Sequence, residues 1–193
     1  KCVIIVGEDI TKDHQVISFF VKRNLPGGSK LITISKDKDG LDNFANISIK
    51  NEKWLEGIQS IEKQPGVAEI LNESENTVII FGGHVAECKE CSSALVELAK
   101  KHKAKLLNTY DGANGKVAAE LQLVSPIDMN KAEIIYVALG DEEVSQTFLK
   151  RVEKAPFMIV QSSYKSVLTS RADVILPAYT WLEQEGHYMN MSG

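Results

Sequence analysis

Val3-Ile4-Ile5-Val6-Gly7-Glu8-Asp9, then a helical stretch containing Phe20-Val21-Lys22-Arg23, then Leu31-Ile32-Thr33-Ile34-Ser35, is the run that decides how this chain folds. Two short apolar segments rich in β-branched residues flank a segment with helical spacing, and the first ends in a glycine followed by two acids. Continuous rather than alternating apolar character marks strands covered on both faces, which is the pattern of a parallel sheet. A later stretch echoes it. Ile135-Tyr136-Val137-Ala138-Leu139-Gly140-Asp141-Glu142 precedes a helix containing Phe148-Leu149-Lys150-Arg151, and then Met158-Ile159-Val160-Gln161-Ser162. Both units close on a short strand, Ala45-Asn46-Ile47-Ser48-Ile49 in the first and Ala172-Asp173-Val174-Ile175-Leu176 in the second. Either any two doubly wound units look alike, or these are two homologous lobes joined near residues 66–76.

Working outward, strands are expected over 3–6, 30–34, 77–81, 105–107, 134–139, 157–161 and 174–176, and helices over 14–23, 54–62, 92–102 and 142–153. Strand–helix–strand alternation implies right-handed crossovers and an α/β fold: two Rossmann-like lobes with mainly parallel sheets and helices on both faces. The expected division is a first lobe over 1–68, a second over 69–180, and a loop over 181–193. The chain opens inside a strand without an initiator methionine and stops in a loop at Met191-Ser192-Gly193, so it reads as a piece of something longer.

Composition narrows the function classes. The 193 residues are 44% hydrophobic and 25% charged with a net charge of −4, ordinary globular values that provide for one sizeable core or two small ones. No basic excess interleaved with aromatics supports nucleic-acid binding. No apolar run approaches the roughly 20 residues of a membrane span, so direct membrane insertion is not expected. Three cysteines, an odd number, argue against a disulfide scaffold and fit a reducing compartment.

Four features carry candidate chemistry. Gly7, Gly82-Gly83 and Gly140 each follow an apolar strand, where glycine lets a ligand approach the backbone. The acids Glu8-Asp9 and Asp141-Glu142-Glu143 stand where a phosphate would want amides, and acids near a helix start are explained as caps and dipole partners. His84, Cys88 and Cys91 follow the strand over 77–81: incidental helix cysteines, a thiol-redox pair, or three zinc ligands. Glu183, Glu185, His187, Tyr188 and Asn190 are the densest cluster of titratable groups, readable as an acid–base site or as a solvated segment pinned by Trp181 and Leu182. Asp111-Gly112-Ala113-Asn114-Gly115 reads first as a turn, and also as a loop able to touch a cofactor.

The residues Gly7-Glu8-Asp9-Ile10-Thr11-Lys12-Asp13-His14-Gln15-Val16 and Gly28-Ser29-Lys30-Leu31-Ile32-Thr33-Ile34 resemble the "G-x-N/D-x-T-x-x-H-P-V … G-A-K-L-I-V-I-D-P-R" region of molybdopterin-dependent oxidoreductases. Ala172-Asp173-Val174-Ile175-Leu176-Pro177 with Glu183, Gly186 and Asn190 resembles that superfamily's "A-D-V-V-L-P … E-x-x-G-T-x-x-N" segment, and Asn114-Gly115 its "A-N-x-x-G" step. The resemblance implies a pterin guanine dinucleotide site using Gly7, Asp9, His14, Gly83, Asn114, Gly140, Asp173, Glu183 and Asn190.

Departures from the pattern point elsewhere within the superfamily. Ser35-Lys36-Asp37 stands where the family has Asp-Pro-Arg, and a serine lacks the bidentate acceptor with which that aspartate holds a guanosine. His-Pro is His14-Gln15, and Leu139-Gly140-Asp141-Glu142 replaces a Gly-x-Asn-Pro. The chain is thus most similar to the large iron–sulfur subunit of respiratory complex I (NADH:quinone oxidoreductase), whose corresponding domain mostly lacks molybdenum and serves as scaffold. That resemblance implies a fragment with no cofactor or metal of its own and no catalytic residue. Its parent would carry iron–sulfur clusters, its partners would be other subunits of a respiratory or dehydrogenase complex, and its place would be cytoplasmic or on the matrix side, peripheral to the inner membrane. Cys2, Cys88 and Cys91 do not reproduce cluster-binding spacing. The alternatives are part of a molybdenum or tungsten enzyme such as a formate dehydrogenase, and a thiol-redox module built on Cys88 and Cys91.

Overall fold

In a computed structural model the described residues are 1–110, 112, 114–123, 128–140, 144–190 and 193. They form two compact units, one of Lys1–Lys116 with Asn190–Gly193 and one of Val117–Met189.

The first unit is built on a five-stranded, wholly parallel sheet. Its strands are β1 (Cys2–Val6), β2 (Lys30–Ser35), β3 (Ile47–Lys50), β4 (Thr77–Gly82) and β5 (Lys105–Thr109), ordered β3-β2-β1-β4-β5. The run of β-branched residues puts β1 at the centre, because only a central strand buries both sets of alternating side chains. Ile4 and Val6 face one core with Ile32, Ile34 and Ile79, while Ile5 faces the other with Leu31 and Ile80. Ile4 and Val6 are wholly buried, and each such side chain contributes about 1.5–3 kcal/mol of transfer free energy.

Helices cover both faces. Helix α1 (Gln15–Asn24) lays Ile17 and Val21 on the Ile5 side. The opposite face takes α2 (Trp54–Gln59) with the 3-10 turn Ile61–Lys63, α3 (Val67–Glu73) and α5 (Lys89–Lys101), the last reached through the short α4 (Gly83–Glu87). In α5 the buried residues are Cys91, Leu95, Leu98 and Ala99, the i, i+4, i+7, i+8 stripe of an amphipathic helix.

The second unit carries a three-stranded parallel sheet of β6 (Ile135–Ala138), β7 (Met158–Ser162) and β8 (Val174–Pro177), in that order. Helix α7 (Gln146–Val152), whose N-cap Ser145 accepts from the Phe148 amide, packs Leu149 and Val152 over Ile135, Val137, Met158 and Val160. On the other face Tyr136 is exposed, and all four residues of β8 are exposed. Apolar continuity in these strands therefore does not mean that both faces are covered within the described residues. Helix α6 (Gly115–Glu120) buries no residue.

The two compact units meet at Lys116/Val117, whereas the sequence suggests a seam near residue 68. The polar residues of 66–76 that look like a seam are the solvent side and exit of α3, whose Val67 and Leu71 are buried. Gly66, in the left-handed region at φ +80°, starts that helix. Helix α3 is part of the crossover from β3 to β4, and β4 pairs directly with β1.

The sequence echo has a structural counterpart. Asn46 brackets the start of β2, its amide donating to Leu31 O at 2.8 Å and its Oδ1 accepting from Leu31 N at 2.9 Å. Asp173 does the same at the start of β7, through Met158 O at 2.9 Å and Met158 N at 2.7 Å.

Candidate functional site

Strand order in the first unit reverses between β1 and β4, so the C-terminal edge of these two strands is where an open α/β sheet offers its ligand crevice. The chain leaves β1 through Gly7, whose amide donates to Ile34 O at 2.9 Å and whose φ of +68° lies in the left-handed region. Val85 of α4 closes over Gly7 so tightly that an added Cβ would overlap Val85 Cγ2. Glycine is required here on both counts.

That turn aims Glu8 into the crevice. Its side chain is only 9% exposed and packs against Gly82 at the end of β4, where an added Cβ would overlap Glu8 Oε2. The buried Thr109 hydroxyl, at the end of β5, lies 3.4 Å from the same oxygen and 3.1 Å from Phe81 O. On the other side His14, the residue preceding α1, places Nε2 3.9 Å from Glu8 Oε1, an ion pair whenever the ring is protonated. His14 Nε2 is buried and has no hydrogen-bond partner among the described residues. No acid lies in the first turn of α1. The Glu8 carboxylate stands at the strand edge where such a sheet takes the phosphate of a dinucleotide. Two like charges about 4 Å apart in such a site repel by roughly 1–4 kcal/mol, so the residues present do not fit an anionic pyrophosphate at this edge.

The end of β2 is filled as well. Ser35 Oγ donates to Asp37 O at 3.0 Å and accepts from Lys50 Nζ at 2.7 Å. Lys50, the last residue of β3, also reaches Asp37 O at 2.9 Å and both carboxylate oxygens of Asp42 at 2.8 and 2.7 Å. Burial raises the Asp42 carboxyl, but the Lys50, Asp39 amide and Ser48 hydrogen bonds outweigh it and hold it below its ordinary value. A basic side chain and its carboxylate partner hold the spot next to Ser35.

Asp9 builds the loop between β1 and α1. Its Oδ1 accepts from Thr11 N at 3.2 Å and Thr11 Oγ1 at 2.5 Å, and its Oδ2 lies 3.4 Å from Gly40 N and 3.2 Å from Lys12 Nζ. Burial pushes the carboxyl up, yet these donors together hold it below the usual carboxylate range.

In the second unit the C-terminal ends of β6 and β7 border an open crevice of about 440 Å³, lined by Leu139, Gly140, Ser162, Tyr164 and Ser166 among others. A Cβ at Gly140 would meet nothing within 4 Å. Asp141, Glu142 and Glu143 lie outside the described residues, as do Asp111 and Ala113. Asn114, at φ +63°, and Gly112, at φ +70°, are left-handed, as a turn requires.

Asp173 is at the entry of β8 with its carboxylate on Met158 N, the opposite end of the strand from the crevice. Glu183 folds back on a turn, its Oε2 accepting from Thr180 Oγ1 at 2.7 Å and Thr180 N at 3.0 Å. Those two hydrogen bonds hold its carboxyl below the ordinary value. Glu185, His187, Tyr188 and Asn190 are exposed.

Cys88 and Cys91 are bonded to each other, with Cα atoms 5.2 Å apart. In this bonded state the two sulfurs face one another rather than a centre shared with His84. No group of three or more metal-ligating side chains occurs among the described residues.

Of the residues expected at a site, the first unit gathers Gly7, His14 and Gly83 around one strand edge, while Asp9 structures the adjoining loop. Glu8, Thr109 and Lys50 complete that edge and stand outside the expected set. Glu8 is legible as a misplaced acid, whereas Thr109 follows only from its register opposite Gly82.

A family model described as molybdopterin oxidoreductase matches residues 1–193. The chain is 30% identical over 204 residues to the NADH-ubiquinone oxidoreductase 78 kDa subunit, mitochondrial, of Candida albicans (strain SC5314 / ATCC MYA-2876), a match covering 99% of this chain and 27% of that protein. The chain thus spans about a quarter of the length of the curated relative it matches.

Proposed function

This chain belongs to the molybdopterin oxidoreductase family, and within it we propose that it is a cofactor-free supporting part of a complex I-type large subunit, bracing an iron–sulfur electron-transfer chain held by the rest of its parent and docking neighbouring subunits. The observation that carries this reading is Glu8, a carboxylate 9% exposed in the crevice between β1 and β4. An enzyme that grips a pyrophosphate there needs open amide donors and no fixed negative charge. The Ser35–Lys50–Asp42 chain of hydrogen bonds supports the same reading at the neighbouring strand end. Docking is supported by Ile175, Tyr179, Trp181 and Leu182, all more than half exposed, an apolar grouping that a free surface does not favour. No helix among the described residues is long and apolar enough to cross a membrane.

A second reading, part of a molybdenum or tungsten enzyme, draws on the open crevice at Gly140 in the second unit. Elemental mass spectrometry of the purified intact parent complex decides between them. The scaffold reading expects stoichiometric iron with neither molybdenum nor tungsten and no pterin released on denaturation. Stoichiometric molybdenum or tungsten would overturn it.

A further inference from the structure

Cys88 and Cys91 are the two ends of a Cys-x-x-Cys at the start of α5, the longest helix described. Their environments differ. Cys91 is 2% exposed and packs into the first unit's core beside Leu95. Cys88 is half-buried and extended, with φ −83° and ψ 106°, at the junction between α4 and α5. As the N-cap residue it accepts a hydrogen bond from Cys91 N at 3.1 Å through Sγ. A partly exposed first cysteine on a helix N-terminus, packed against the rim of the core, and a buried second one is the arrangement in which one thiol exchanges with partners and the other resolves.

We infer that the Cys88–Cys91 bridge is an exchangeable dithiol/disulfide site that takes electrons from thiol compounds or protein dithiols, with Cys88 Sγ as the sulfur attacked. An incoming thiolate bonds to Cys88 Sγ and the Sγ–Sγ bond breaks. Its electron pair leaves on Cys91 Sγ, which takes a proton from solvent. A second thiolate attacks the incoming sulfur of the mixed disulfide and expels Cys88 as a thiolate. The bridge gains two electrons, and two thiols leave joined as one disulfide. The expelled Cys88 thiolate keeps the Cys91 amide donor and the positive end of α5, both of which favour the anion. The reverse steps reoxidise the pair with a disulfide as electron acceptor.

Glu90 gives this route an electrostatic signature. One of its carboxylate oxygens lies 3.9 Å from Cys88 Sγ, so it repels an anionic thiolate approaching that sulfur. Cys2 is the internal control: it is 1% exposed, and burial pushes its thiol up to about 11.

The test uses the full-length parent in buffers of graded dithiothreitol redox ratio at pH 7, with acid quench, alkylation and peptide mass mapping. Cys88 and Cys91 are expected to become labelled together in one two-electron transition while circular dichroism stays native and Cys2 stays unlabelled. With glutathione disulfide, Cys91→Ala should trap glutathione on Cys88 at least tenfold faster than Cys88→Ala traps it on Cys91. Glu90→Gln should speed reduction by glutathione several-fold and change reduction by the cationic thiol cysteamine less. A bridge that opens only on unfolding, equal trapping at the two cysteines, or a glutathione rate indifferent to Glu90 would each overturn the inference.

Discussion

Asp173 holds Met158 by both of its backbone polar groups, donating its own amide to Met158 O and accepting Met158 N on its carboxylate. The pair fixes where β8 joins β7, one residue ahead of the first paired position, Ile159 with Val174. Asn46 makes the same two bonds to Leu31 with an amide oxygen in place of the carboxylate, so negative charge is not what the position requires. Asp173→Ala, which removes the acceptor for Met158 N, should lower stability by about 1 kcal/mol. Asp173→Asn should recover most of that, as urea unfolding monitored by circular dichroism would register. Equal losses for the two variants would assign Asp173 a role other than this bracket.

Gly7→Ala should destabilise the first unit by about 2–4 kcal/mol, from the left-handed φ together with overpacking. The added methyl would overlap Val85. Combining it with Val85→Ala should relieve the overlap and leave the conformational cost, so the double variant falls short of the sum of the two single losses. Additive losses in chemical denaturation would show that the Gly7–Val85 approach is not as close as described.

Glu62 gives the fold a predictable acid sensitivity. The Lys101 hydrogen bond at 2.7 Å, with His102 Nε2 at 2.9 Å, holds its carboxyl below the ordinary value of 4.5 despite some desolvation. A group whose folded-state pKa is depressed contributes stability above its unfolded value and loses it as pH falls through the folded one. The bridge between the Ile61–Lys63 turn and the end of α5 should therefore be intact at pH 7 and weaken below about 4.5. Glu62→Gln should cost about 0.2–1 kcal/mol at pH 7 and nothing once both forms are protonated near pH 2, a convergence that stability measured across pH would reveal.

Cys2 should ignore iodoacetamide at pH 8 in the folded protein, because burial pushes its thiol up to about 11 and leaves it almost wholly protonated. Alkylation should appear only as urea unfolds the first unit, following the loss of circular dichroism. Labelling under native conditions would show that the β1 end opens locally.

Strands β1, β2 and β4 are legible in the chain almost to the residue, because continuous β-branched runs allow few other readings. The short helices are not. Helix α3 hides behind the polar face of residues 68–76, and α4 has five residues, too few for a period to emerge. Helix α5 begins at Lys89, two residues ahead of its apolar stripe, because Cys88 caps it with a sulfur. The site was legible as chemistry and illegible as place. Glu8 stands out as an acid after a strand, but that it fills a crevice follows only once β4 and β5 stand beside β1. Lys50 gives no local signal, because its partners Ser35, Asp37 and Asp42 come together only through strand pairing.

The side chain of Glu8 occupying its own crevice has a thermodynamic corollary. A lobe completed by a ligand gains stability with ligand concentration through mass action. On the proposed reading this lobe has no such dependence, since its occupant is tethered to the backbone and arrives with folding. Its melting temperature would then be indifferent to pterin supply, and a cell that makes no molybdenum cofactor could still produce it fully formed.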